Sequence, residues 1–216
     1  MVTYRGAQGY LPDTLDTLDI LSLETAARGC RGCDLFKAAE QTVFGAGPTD
    51  ARLMLVGEQP GNDEDLEGEP FVGPAGRLLD KALAAAGVER DTVYVTNAVK
   101  HFRFDRAAGG KRRIHKKPSG GQIIACRPWL VAELDVVRPD VVVCLGVTAA
   151  RALVEKNFKL TVHRGEVLQL DEQLRGTLDP KVVATIHPSA ALRAHVDRDA
   201  AFDSLVRDLH RAAGLL

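Results

Sequence analysis

The sequence predicts an α/β fold with three layers, α/β/α, around a central, mainly parallel sheet of four strands. Two observations predict it. Short runs rich in Val, Leu and Ala alternate with helical stretches along the chain. Those runs are nearly continuous in apolar residues, as strands covered on both faces are. The 216 residues suit one domain, 1–216.

The elements follow in order. A helical stretch covers 19–28. ARLMLVGE (51–58) is the first strand and ends at a glycine turn. Residues 73–87 form a helix, with Leu78, Leu79, Leu83 and Ala86 on one face and Gly87 as its stop. DTVYVTNAV (91–99) is the second strand. Residues 119–140 read as a helix from Ser119 to just before Pro139, with Pro128 inside it. DVVVCLG (140–146) is the third strand, and VTAARALVEK the helix after it. KVVATIH (181–187) is the fourth strand, and 198–213 the last helix. Between the second strand and the 119–140 helix, about 101–120, lies a long Gly-rich basic loop. Loops of such length in compact domains usually carry function or are disordered.

Composition excludes several classes. Apolar residues are 45% and charged residues 26%, as in soluble globular proteins. No apolar run approaches the ~20 residues that span a bilayer. The N-terminal stretch has no apolar core of a secretory signal. The expectation is a cytoplasmic, monomeric enzyme or binding protein with no membrane partner.

The net charge of −1 conceals an asymmetry. Lys100, Arg103, Arg106, Lys111, Arg112, Arg113, Lys116 and Lys117 crowd one stretch that holds a single acid, Asp105. Concentrated positive charge on an otherwise acidic chain predicts a polyanion site.

In open α/β sheets, ligands collect beyond the C-terminal strand ends. Here those ends carry Gly57-Glu58-Gln59-Pro60-Gly61, Thr96-Asn97, Gly146 and His187-Pro188-Ser189. An acid, two amides and a histidine would converge on one crevice. The four cysteines are Cys30, Cys33, Cys126 and Cys144. Cys30-Arg-Gly-Cys33 follows a helical stretch rather than a strand, which favours a metal clip over a redox pair. Zinc and an iron–sulfur cluster both fit the spacing. Cys144 sits inside an apolar strand and reads as core, in which case His101 is a candidate fourth ligand.

These residues resemble the uracil-DNA glycosylase superfamily, in particular its iron–sulfur family 4 enzymes and their UdgX branch. The motifs that carry the likeness are Gly57-Glu58-Gln59-Pro60-Gly61, Pro70-Phe71-Val72-Gly73-Pro74-Ala75-Gly76, Thr96-Asn97-Ala98-Val99-Lys100, Ala125-Cys126-Arg127-Pro128 and His187-Pro188-Ser189. The branch is marked by Lys111-Arg112-Arg113-Ile114-His115. Ordinary family 4 members carry a cysteine where this chain has His101. The resemblance therefore implies a [4Fe-4S] cluster on Cys30, Cys33, Cys126 and His101, with Cys144 as the alternative fourth ligand.

The resemblance further implies removal of uracil from DNA, single-stranded DNA preferred, with free uracil as product. Phe71 would stack on the flipped base beside Gly57. Asn97 would pair with O4 and N3–H, and cytosine reverses that pattern. His187 would donate to O2 as negative charge develops there. His115 would capture C1′ and remain joined to the DNA, so turnover would stop after one event. Glu58 would orient the imidazole or accept its proton, and favour positive charge at the sugar, and Gln59 would orient the loop or the sugar. Lys111, Arg112, Arg113, Lys116, Lys117 and Ser189 would hold the DNA backbone.

Overall fold

The computed structural model describes residues 4–13, 19–107, 110, 112–175, 178–194 and 196–216. Helix α1, Ile20–Ala27, opens on a capping box in which Asp19 accepts from the Ser22 N–H at 2.6 Å and Ser22 accepts from the Asp19 N–H. Strand β1 is Leu53–Gly57, followed by α2, Asn62–Glu67, and α3, Pro74–Ala85. Pro74 enters at the first turn of α3, where its missing N–H costs nothing. Strand β2 is Val93–Asn97. Strands β3, Phe104–Arg106, and β4, Arg113–His115, come next. Helix α4, Gly120–Val137, is capped by Ser119 and Gln122. It runs through Pro128, and the turn that loses a donor there lies next to exposed Ile124.

The rest of the chain supplies β5, Val141–Leu145, α5, Val147–Leu153, and α6, Leu160–His163. Then come β6, Val167–Leu168, α7, Glu172–Arg175, and β7, Lys181–Thr185. Helices α8, Pro188–Arg193, and α9, Arg198–Ala213, complete it.

The main sheet has the order β2-β1-β5-β7-β6. Its first four strands are parallel, and β6 pairs antiparallel with β7 at the edge. The sheet therefore has five strands, where the sequence predicts four. Two residues of β6 are too few to display a period of two. The 101–120 stretch differs as well: β3 and β4 form an antiparallel hairpin with Phe104 opposite His115. Three-residue strands rich in charge carry no strand signature.

Alternate strand residues enter opposite layers. Met54, Val56, Val142 and Cys144 pack with Leu130, Leu134, Ala149 and Leu153 of α4 and α5. Leu53, Leu55, Val141 and Val143 pack with Leu79, Leu83, Leu205 and Leu209 of α3 and α9. A smaller cluster of Leu23, Ala27, Phe44, Val99 and Trp129 ties α1 to α4 beside Cys30 and Cys126. Among the described residues no helix is long and apolar enough to cross a membrane.

Candidate active site

The C-terminal ends of β1, β2, β5 and β7 open into a cleft of about 760 Å³. Its lining includes Glu58, Gln59, Phe71, Asn97, His115 and His187. The register explains the convergence, because Gly57 pairs with Asn97 across β1 and β2. A Cβ on Gly57 would stand 2.3 Å from Asn97 Oδ1 and 2.8 Å from Phe71 Cζ. Only glycine lets the amide and the ring meet there.

Phe71 is held in a costly conformation. Its φ is +61°, in the left-handed region that bulky residues avoid. Gly76 makes room, since a Cβ there would lie 1.6 Å from the Phe71 carbonyl oxygen. Buried Glu64 fixes the loop from both sides by accepting the Gly61 N–H at 3.0 Å and the Gly73 N–H at 2.9 Å. The Phe71 ring lies 6.3 Å from that of His187, at 24° between planes.

His187 is the N-cap of α8. Its Nδ1 accepts the Ser189 N–H at 3.2 Å and lies 2.9 Å from Ser189 Oγ. With Nδ1 accepting, the proton of the neutral ring sits on Nε2. Burial, followed by the charges of Arg193 and His115, pulls its pKa down to about 4. His187 is thus a neutral donor at neutral pH. Ser189, expected at the DNA backbone, points its polar atoms at His187.

His115 closes β4 and stands half exposed at the mouth of the cleft. Its Nε2 lies 3.7 Å from Glu58 Oε1. Gln59 is buried and fixes the imidazole. Its Oε1 accepts the Arg103 N–H at 3.2 Å, which sets the amide orientation. Its Nε2 then faces the carbonyls of Arg103 and Lys116, at 3.2 and 3.1 Å, and His115 Nε2 at 3.0 Å. A donor facing Nε2 makes that nitrogen the one with the lone pair. Burial lowers the His115 pKa; the Glu58 carboxylate opposes this, and Arg193 and Lys117 reinforce it. Thr148, at the start of α5, donates to the far oxygen of Glu58.

The basic stretch divides in two. Lys100 is buried, and its ammonium is held by Glu133, Thr96 Oγ1 and the Asn97 carbonyl. Arg113 lies beneath the hairpin, paired with buried Asp65 at 2.5 Å and with its guanidinium over Phe102 and Phe104. Neither faces outward, so the expectation of a phosphate contact at Arg113 is corrected: it anchors the hairpin. Arg112, Lys116 and Lys117 are exposed. Lys111 lies outside the described residues.

A second, smaller pocket is lined by Cys30, Cys33, His101 and Cys126, with Lys100 and Trp129. Trp129 Nε1–H donates to Cys30 Sγ at 3.3 Å and the Lys100 N–H to Cys126 Sγ at 3.2 Å. Burial pushes the Cys126 thiol up to about 12 and the His101 imidazole down to about 4. Cys144 lies in the core of β5, away from this group. Among the described residues no three Cys, His, Asp or Glu side chains form a site for one metal ion.

Comparison with known proteins fits this layout. Residues 44–210 match the family model of the uracil DNA glycosylase superfamily. The chain belongs to the uracil DNA glycosylase superfamily. It is 38% identical over 164 residues to the type-4 uracil-DNA glycosylase of Archaeoglobus fulgidus, covering 74% of this chain and 76% of that one. It is also 38% identical over 152 residues to the type-4 enzyme of Thermotoga maritima, covering 70% and 71%. The type-5 uracil-DNA glycosylase of Pyrobaculum aerophilum is 33% identical over 184 residues.

Three residues escape sequence reasoning: Arg193 and Glu64, which line this glycosylase-superfamily cleft, and Thr148, which holds Glu58 from behind it. Thr148 lies two residues past Gly146, the end of the third strand as read from the sequence. Arg193 lines the cleft from the end of α8. Glu64 looks like an ordinary acid in the first turn of α2.

Proposed function

We propose that this chain excises uracil from DNA and then joins itself to the sugar through His115. The observation that carries the reading is the placement of His115 Nε2, with its lone pair, beside Glu58 in the cleft that also holds Asn97 and His187. The base is extruded into the cleft and stacks on Phe71, and Asn97 presents its amide to O4 and N3–H. The C1′–N1 bond breaks with its electron pair moving onto the base. His187 Nε2–H donates to O2, where that charge collects; such a donor is typically worth roughly 10²–10³ in rate. The sugar becomes cation-like beside the Glu58 carboxylate.

His115 Nε2 then supplies its pair to C1′. The new C–N bond leaves the ring cationic, and the Nδ1 proton passes to solvent while the uracil anion takes up a proton. A neighbouring group held in place outcompetes bulk water, since effective molarities reach about 10⁵ M or more. An alkyl-imidazole is a poor leaving group, so the attachment persists. Arg112, Lys116 and Lys117 position the DNA backbone, single-stranded DNA fits most readily, and the protein acts as a monomer in the cytoplasm.

Cys30, Cys33, Cys126 and His101 would hold a [4Fe-4S] cluster. The donor set fits: three thiols and one neutral imidazole surround one pocket, and two N–H groups point at sulfur. A cluster spreads its ligands over separate irons, so it needs no convergence on one ion. It would tie the segment after α1 to the end of β2 and to α4.

A denaturing gel of uracil-containing oligonucleotide after incubation tests the reading. A persistent shifted band that needs both uracil and His115 supports it. Alkali-cleavable abasic product released over many turnovers identifies an ordinary hydrolase, and intact uracil a binding module.

A further inference from the structure

We propose that Thr42 is a positioning residue that fixes the tautomer of His101 and so presents Nδ1 to the cysteine-lined pocket. Thr42 Oγ1 has one hydrogen and donates it to the Ala27 carbonyl at 3.0 Å. The same oxygen lies 3.1 Å from His101 Nε2. With its hydrogen committed, Thr42 can only accept there, so the imidazole is the donor and Nε2 carries the ring proton. A neutral ring holds one proton, and Nδ1 is left with the lone pair. His101 is 6% exposed and lines the pocket of Cys30, Cys33 and Cys126.

The same bond links two candidate ligands. The Ala27 carbonyl also accepts the Cys30 N–H at 2.9 Å. A chain of hydrogen bonds therefore runs from His101 through Thr42 and Ala27 to Cys30. It sets the imidazole in register with the Cys30–Cys33 turn. Metal-bound histidines depend on such an outer partner for orientation and tautomer, and losing it typically costs about 10–100-fold in metal affinity.

This inference rests on the proposed cluster only for its consequence, because the tautomer is a property of the chain itself. The experiment uses the full chain as purified, with ¹⁵N-labelled histidine. Iron release to a chelator is followed under anaerobic conditions for the parent, Thr42→Val and Thr42→Ser. Pulsed electron paramagnetic resonance of the reduced cluster reads the nitrogen coupling. Thr42→Val should release iron about 10–100-fold faster and change that coupling. Thr42→Ser keeps the hydroxyl and should match the parent. Equal release and equal coupling in Thr42→Val overturn the proposal, as does a Thr42→Ser variant that behaves like Thr42→Val.

If the parent carries no iron, the cluster reading fails by itself. The His101 ¹⁵N shifts of the parent then decide the tautomer without any variant, and an Nδ1–H ring overturns the proposal.

Discussion

Gly57→Ala is the sharpest perturbation of the base pocket. The added methyl would lie 2.3 Å from Asn97 Oδ1 and 2.8 Å from Phe71 Cζ, well inside van der Waals contact. Gly57 is not among the residues with positive φ, so the effect is steric and aimed at the two groups proposed to contact the base. Overpacking of this kind costs about 1–3 kcal/mol of stability. The larger effect falls on function. Asn97 pairs with Gly57 at the end of β2, so its amide must rotate to escape, and it loses its alignment with the base edge. Losing an aligned group of that kind costs roughly 10²–10³ in rate. The assay is single-turnover uracil release, read beside thermal unfolding of the same preparation. A variant that folds normally and releases uracil at the parent rate would refute the pocket as drawn.

Further outcomes follow from the same geometry. Lys100→Met leaves Glu133 buried and unpaired, which costs about 3–5 kcal/mol; at about 2–4 °C per kcal/mol for a domain of this size, Tm should fall by roughly 6–20 °C. Adding Glu133→Gln to that variant should restore most of the loss, and calorimetry showing no recovery would contradict a paired charge. Burial lowers the His115 pKa from the ordinary 6.5, and in the proposed reaction the nucleophile is the deprotonated ring, so crosslinking should rise with pH with its midpoint below 6.5. Arg193→Met removes one lowering charge and should shift that midpoint upward; a parent midpoint above 6.5 counts against the assignment. Arg113→Ala unpins the hairpin from Asp65 and should slow crosslinking more than uracil release, whereas equal slowing of both would return Arg113 to general DNA binding.

The parts legible in the sequence share one feature: they depend on local order. Gly57-Glu58-Gln59, Asn97 and His187 each stand at or just past the end of a strand, and a parallel sheet brings such ends to one edge whatever the loops do. The parts missed depend on contacts distant in sequence. Thr148 meets Glu58 across 90 positions, and Arg113 meets Asp65 across 48. Nothing near Arg113 distinguishes it from Arg112, yet one is held beneath the hairpin and the other faces solvent. Lys100 reads as part of a basic surface because its partner, Glu133, is 33 positions away. Strand β6 escaped for lack of length. The hairpin escaped because the pairing of Phe104 with His115, not residue preference, makes it.

The most direct test of the account is the intact mass of the protein after incubation with a short uracil-containing single strand, for the parent and for His115→Ala. The account predicts a stable adduct on the parent, equal to protein plus oligonucleotide less uracil, with the modified peptide containing His115 and no adduct on the variant. Repeated uracil release from the parent without any adduct would contradict it.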